Sequence, residues 1–193
     1  ERSGADAYAI STLPEPALRE ARGLVDIPVV GYGEAAMLLA CTLGRTFGVL
    51  VFIPELAETV ADNAARHGLR ERFSGAAHVG FNFTDVLAAF SDPEPLIERF
   101  RAAARRLIEQ GTEVIIPGEA PLNVMLARNN VAEVDGVPVL DSLAAWVKQA
   151  ETLVDLRRLS GLRPCRKSYF TGLPDPDRVD EILDFYGQDL PPA

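Results

Sequence analysis

Short runs of β-branched and other apolar residues alternate along the chain with longer stretches in which apolar residues recur at helical spacing. The first pattern indicates buried strands and the second indicates amphipathic helices. Strands are predicted at Ala7–Ser11, Ile27–Val30, Gly48–Ile53, Ala76–Gly80, Val114–Ile116 and Val137–Leu140. Helices are predicted at Glu15–Gly23, Glu34–Leu43, Glu55–Arg66, Pro95–Glu109, Pro121–Asn129, Ser142–Leu159 and Asp177–Tyr186. This alternation predicts an α/β protein with a mainly parallel sheet.

A segment near the start of the chain is repeated in its second half. Gly4–Pro14 aligns with Gly111–Pro121 at a constant offset of 107 residues, and Ile27–Val30 aligns with Val137–Leu140 at an offset of 110. In each copy a glycine and an acidic residue precede a buried strand, and a second short strand then leads into a helix. The repeat predicts two related halves.

The loops after the repeated strands carry Thr12 in the first half and Glu119 in the second. Ligands of parallel α/β sheets bind beyond the carboxyl ends of strands, where loops and helix N-termini present N–H groups. If the halves face each other, both side chains approach one cleft, and the amides of Gly118 and Ala120 are expected to serve as anion donors. The alternative is that the repeat is only a folding duplication and that Thr12 and Glu119 cap helices.

The charge and cysteine content exclude several classes of protein. With 28 acidic and 19 basic side chains, the chain would repel a nucleic-acid backbone, so no nucleic-acid partner is expected. The longest apolar run, Ala35–Leu43, has about half of the roughly 20 residues that a membrane span needs, so no membrane association is expected. Cys41 and Cys165 lie far apart in no metal-binding spacing, which favours a reducing, cytoplasmic compartment.

Several segments that together cover nearly the whole chain carry a family resemblance. They are Gly4–Ala7 with Pro16, Ile27–Ala36, Gly111–Gly118, Asp135–Asp141 with Ala150 and Glu151, and Gly161–Tyr169. In order and spacing the chain resembles the aspartate/glutamate/hydantoin racemase superfamily, above all its hydantoin and allantoin racemase branch. The resemblance implies an α/β fold of two pseudo-symmetric lobes, with mainly parallel sheets flanked by helices and an active-site cleft between the lobes.

The chain departs from this family at the two positions where the resemblance implies catalytic cysteines. Thr12 and Glu119 occupy them, and neither Cys41, inside a predicted helix, nor Cys165, in the C-terminal segment, can substitute. A threonine hydroxyl is too weak an acid to return a proton at neutral pH, whereas a buried glutamate can act as a base. A two-thiol mechanism is therefore replaced by a single-base site.

The resemblance then implies a cofactor-independent, isomerase-like enzyme acting on a small carboxylate, hydantoin or related cyclic amide. Glu119 would be the base or nucleophile and Thr12 would orient the ligand, in isomerase, decarboxylase or hydrolase-type chemistry. The alternative is a pseudo-enzyme that binds a small molecule without turning it over. We expect neither a cofactor nor a metal. The other expected substrate-binding residues are Ser11, Tyr32, Gly33, Glu34, Val51, Phe52, Asn82, Gly118 and Ala120.

Two other readings of these residues are weaker. Gly31–Ala36 imitates a dinucleotide-binding fingerprint, but Glu34 in the first helical turn would oppose a pyrophosphate. His67 and His78 have no acidic or cysteine partner near them in the sequence, so both are interpreted as structural. Asn82 can equally serve turn and cap chemistry.

The predicted domains are residues 1–44, the remainder of a first lobe; 45–140, the second lobe; and 141–193, helices that return to the first lobe. The resemblance implies two further strands ahead of Ala7–Ser11, in a segment of about 50 residues judged from the second half, so we expect the first lobe to be incomplete in this sequence. We expect another copy of the chain to cover the sheet edge left exposed, so a homo-oligomer is predicted.

Overall fold

The computed structural model describes residues 4–187, and its central element is a three-stranded parallel sheet. The strands are β1 Tyr8–Ile10, β2 Val29–Gly31, β3 Phe47–Val51, β4 Phe73–His78, β5 Ile115–Pro117, β6 Glu133–Val134 and β7 Val137–Pro138. The helices are α1 Leu18–Leu24, α2 Tyr32–Leu43, α3 Leu56–Arg66, α4 Phe83–Ala88, α5 Glu94–Glu109, α6 Ala120–Arg128, α7 Ser142–Ser160 and α8 Pro176–Phe185.

The central sheet has the order β4-β3-β5, and all five residues of β3 are buried. Alternate side chains of a strand point to opposite faces, so Val49 and Val51 join one apolar cluster while Leu50 joins the other. Helices α2 and α3 pack on the first face, and α5 and α6 pack on the second. A strand that is covered on both faces has a continuous run of apolar residues, and this run is why β3 could be predicted from the sequence.

The chain divides into two compact units. Residues 11–15 and 31–147 form the larger unit, which contains the central sheet. Within the described part of the chain, the smaller unit comprises residues 4–10, 16–30 and 148–187. In the smaller unit β1 pairs with β2, and Arg166 ties the C-terminal segment to Arg22 O at 2.7 Å and to Asp26 at 3.2 Å. These units do not coincide with the predicted domains of residues 1–44, 45–140 and 141–193, and the division into two lobes stays a prediction.

The α/β class with a parallel sheet flanked by helices is confirmed, and most predicted elements overlap observed ones. One prediction was wrong in kind: Val137–Leu140 is not a single strand of the sheet. Val137 and Pro138 instead pair antiparallel with Glu133–Val134, and only Val139 bridges to Ile115. The left-handed Asp135 and Gly136, with φ of 51° and 79°, make the tight turn of this hairpin.

Candidate active site

Glu119 follows β5 and occupies the N-cap position of α6, with its residue 8% exposed. Its carboxyl makes no capping hydrogen bond to that helix in the described structure. Oε1 instead accepts hydrogen bonds from the backbone amides of Phe52 and Ile53, both at 3.0 Å, just beyond β3. The carboxyl is therefore held across the carboxyl edge of the sheet, and the alternative that Glu119 serves only as a helix cap loses its support.

The second carboxyl oxygen of Glu119 is in a different environment. Oε2 is buried and has no hydrogen-bond partner among residues 4–187. Burial raises the pKa of Glu119 from 4.5 to about 7, and the amides of Ile53 and Phe52 offset only part of that rise. One oxygen is thus held by two amides, while the other is buried without a partner, and the pKa of the carboxyl lies near 7.

Tyr32, the first residue of α2, places a second unsatisfied group in this region. Its hydroxyl is buried and lacks a hydrogen-bond partner in the described part of the chain. The neighbouring Ser142 hydroxyl lies close enough to lower the pKa of Tyr32 but donates to the carbonyl of Pro117 at 3.2 Å. Burial raises the pKa of Tyr32 above its ordinary value, and the nearby carboxyls of Asp141 and Glu119 raise it further. The hydroxyl therefore stays protonated at neutral pH and can donate a hydrogen bond.

The segment carrying Thr12 packs directly against the segment carrying Glu119. A methyl group on Gly118 would lie 3.0 Å from Leu13 Cδ2, and one on Gly33 would lie 3.4 Å from Leu13 Cδ1. The Leu13 side chain therefore packs against Gly33, in the first turn of α2, and against Gly118, which precedes Glu119. The segment that follows β1 and the segment that follows β5 thus approach each other at Leu13 and Gly118.

Gly118 is required for this close approach. A Cβ there would lie 2.8 Å from Val51 Cγ1 and 3.2 Å from the Leu50 carbonyl oxygen, so Gly118→Ala is expected to lower the free energy of unfolding by about 1–3 kcal/mol. Gly33→Ala is the matched control, because its nearest contacts are 3.4 Å and alanine favours a helix. Urea unfolding measures both. Equal stability of the two variants would contradict this packing argument.

Phe52, whose backbone amide binds the Glu119 carboxyl, also carries an aromatic side chain that packs in the apolar cluster of Leu50. Phe52 is 5% exposed, and its ring stacks on that of the half-exposed Phe83 at 6.0 Å between centroids. Val51 ends β3 and is buried. Asn82 caps α4, the alternative left open for it: its Oδ1 accepts from the Thr84 amide at 2.8 Å.

Other residues predicted to form the site follow β1 or β5 and differ in how exposed they are. Ser11 and Thr12 are exposed after β1, and Ala120 begins α6. The Gly118 amide donates to the Leu50 carbonyl at 2.9 Å, within the pairing of β5 with β3. The expectation that this amide points into the site as an anion donor was therefore wrong, because the sheet already uses it.

Sequence reasoning missed a buried cluster of Glu15, His67 and Glu34. Glu15 Oε2 lies 2.8 Å from His67 Nε2, and His67 Nδ1 lies 3.6 Å from Glu34 Oε1. His67 thus has acidic partners in the fold that its neighbours in the sequence do not reveal, because Glu15 lies 52 residues away. Glu15 Oε1 also accepts from the Glu34 amide at 2.7 Å, so a carboxylate already occupies the α2 N-terminus, where a dinucleotide phosphate would bind.

Three further features of the described residues bear on other kinds of site: metal-binding clusters, membrane-spanning helices and cavities. Residues 4–187 contain no cluster of histidine, cysteine and acidic side chains suited to a metal ion. No helix within these residues combines the length and apolar character required to cross a membrane. A cavity of about 240 Å³ beside α6 is lined by Asn123, Leu126 and Asp141, among others, but not by Glu119.

The chain belongs to the Asp/Glu/Hydantoin racemase family, whose model matches residues 1–150. It is 32% identical over 179 residues to the hydantoin racemase of Pseudomonas sp. (strain NS671), covering 90% of this chain and 70% of that protein. It is 30% identical over 158 residues to the hydantoin racemase of Rhizobium meliloti, covering 80% of this chain and 62% of that protein.

Solved structures agree with this assignment. The allantoin racemase from Klebsiella pneumoniae superposes with a TM-score of 0.71 at 26% identity, covering 90% of this chain and 67% of that chain. The allantoin racemase from Pseudomonas fluorescens gives the same TM-score at 27% identity, covering 89% of this chain and 69% of that one. The α/β fold class and the family predicted from the sequence are thereby confirmed.

Proposed function

We propose that this racemase-family chain is an enzyme that acts on a small carboxylate, hydantoin or related cyclic amide, with Glu119 as its single base or nucleophile. One observation carries the proposal: Glu119 has one oxygen fixed by two backbone amides and the other buried without a partner. A carboxyl in that state is oriented and has a pKa of about 7, which suits proton transfer at neutral pH.

The substrate carbon would lie opposite Oε2, and Tyr32 would supply a neutral hydroxyl to the carbonyl oxygen as charge develops on it. The stacked rings of Phe52 and Phe83 would form an apolar wall of this site, which would favour an aromatic or aliphatic substituent over a polar one. Removing and returning a proton with one carboxyl uses one face of the carbon. Exchange with solvent should therefore exceed inversion.

The test follows enantiopure 5-benzylhydantoin in D₂O, with deuterium incorporation at C5 measured by NMR and optical rotation measured in parallel. After subtraction of the uncatalysed rate, we expect enzyme-dependent exchange that outpaces racemisation. Rapid racemisation at the rate of exchange would reject the single-base mechanism. Absence of any enzyme-dependent exchange with this and related cyclic amides and carboxylates would reject the catalytic proposal.

The second candidate is a small-molecule-binding protein without turnover. It is favoured by the fact that Glu119 itself occupies the amide pair of Phe52 and Ile53, a place where a ligand carboxylate could bind. Saturable binding of the hydantoin by calorimetry without exchange at C5 would select this candidate.

Thr12 is proposed to orient the ligand through its hydroxyl. Thr12→Val should weaken binding of the hydantoin by about 1–3 kcal/mol, because a polar group of the bound ligand loses its partner, without eliminating turnover. Thr12→Ser keeps the hydroxyl and is the matched control. Calorimetric titration of both variants measures the difference, and equal affinity for both would remove Thr12 from the site.

A further inference from the structure

The segment between β1 and α1, which carries Thr12, has no regular secondary structure, but contacts with the rest of the fold hold it in place. Leu13 is 4% and Glu15 3% exposed, and Glu15 has a φ of 52°, in the left-handed region that side chains rarely adopt. Such a conformation persists only where surrounding contacts enforce it. The contacts that enforce it come from α2 and α3.

Glu15 connects these two helices. Its Oε1 accepts from the backbone amide of Glu34, in the first turn of α2, at 2.7 Å. Its Oε2 lies 2.8 Å from Nε2 of His67, the residue that ends α3. The side chains of Glu15 and His67 are 2% and 9% exposed, so water competes little for either contact.

Asn63 supports the same segment one helical turn earlier. Its Nδ2 lies 3.2 Å from the carbonyl oxygen of Leu13 and 3.3 Å from that of Pro14. Residues four apart share one face of a helix, so Asn63 and His67 present their donors to the segment side by side. The last turn of α3 thereby holds three consecutive residues, from Leu13 to Glu15.

Leu13 relates this arrangement to Glu119. Its side chain contacts the α-carbon regions of both Gly33 and Gly118, the residue immediately before Glu119. A shift of the segment would move Thr12 and change the packing at Gly118 together. The position of Thr12 relative to Glu119 therefore depends on contacts made by α3.

We propose that His67, through its hydrogen bond with Glu15, is a positioning residue that fixes the Thr12 segment for ligand binding. The ligand part of this inference rests on the proposed role of Thr12, but the positioning part does not. His67 acts through Glu15 and does not itself reach the substrate.

The test compares His67→Gln with His67→Asn. A glutamine amide can place a donor near the position of Nε2, whereas an asparagine amide reaches only the position of Nδ1 and leaves Glu15 Oε2 unpaired. Hydrogen exchange of the amides of residues 8–18 is followed by mass spectrometry, and affinity for 5-benzylhydantoin is measured by calorimetry. We expect His67→Asn to accelerate exchange of the segment at least about tenfold and to weaken binding by a similar factor, since the buried carboxylate loses a partner. His67→Gln should restore most of both.

Unchanged exchange in His67→Asn would overturn the proposal, as would faster exchange with unchanged affinity, which would leave His67 a purely structural role. If the unsubstituted protein binds neither this hydantoin nor related carboxylates, the proposed function fails, and the exchange data alone decide whether His67 orders the segment. If His67→Asn does not fold, Glu15→Gln alters the same hydrogen bond while keeping an oxygen for the Glu34 amide, and the same outcomes decide.

Discussion

Glu119→Gln is expected to reduce C5 proton exchange by about 10²- to 10⁴-fold, the range that a positioned general base contributes. The glutamine Oε1 can still accept from the amides of Phe52 and Ile53, so the variant should remain folded. The loss would therefore report the missing base and not a rearranged site. NMR exchange rates and thermal unfolding of the two proteins, measured side by side, check this.

The same carboxyl sets the pH dependence of activity. Because burial raises the pKa of Glu119 to about 7, kcat/KM for exchange should rise as the pH rises toward 7 and become constant above it. Glu119→Gln should abolish this single ascending limb. Exchange that survives the substitution with an unchanged pH profile would show that another group is the base.

The ionisation of Glu119 changes stability and activity in opposite directions: as the pH rises, activity increases and the free energy of unfolding decreases. The folded pKa lies above the ordinary 4.5, so the folded chain keeps a proton that the unfolded chain releases between pH 4.5 and 7. The contribution of Glu119 to the free energy of unfolding is full below pH 4.5, is lost as the pH rises to 7, and then stays constant. The difference between wild-type and Glu119→Gln stability should follow this course.

The parts of the fold that the sequence predicted are those whose signal is local. Strand β3 is an uninterrupted apolar run because both faces of the sheet are covered, and α5 shows helical spacing because only one of its faces is buried. Glu119 could be found because it follows a buried strand at a position equivalent to Thr12 in the repeat. The short hairpin of β6 and β7 was misread, since Asp135 and Gly136 interrupt what otherwise resembles one extended segment.

The contacts around Glu119 could not be predicted in the same way. The amides of Phe52 and Ile53 belong to the backbone and leave no mark on residue type. Glu15 and His67 are 52 residues apart, and their pairing depends on how α3 packs, which no local spacing encodes. The one available signal was Glu15 itself, an acidic residue between two prolines at the start of a predicted helix.

Tyr32→Phe is expected to separate function from stability most clearly. The variant removes one buried oxygen that has no partner within residues 4–187, so the melting temperature should stay unchanged or rise slightly. Turnover should nevertheless fall by about 10²- to 10³-fold, the usual cost of losing one donor to a developing oxyanion. Tyr8→Phe is the matched control, because Tyr8 is 52% exposed and its hydroxyl can remain hydrated in every state. Calorimetric melting and C5 exchange are measured on both variants. A melting temperature lowered by several degrees with unchanged exchange would show that the Tyr32 hydroxyl serves the fold, and the site would then rest on Glu119 alone.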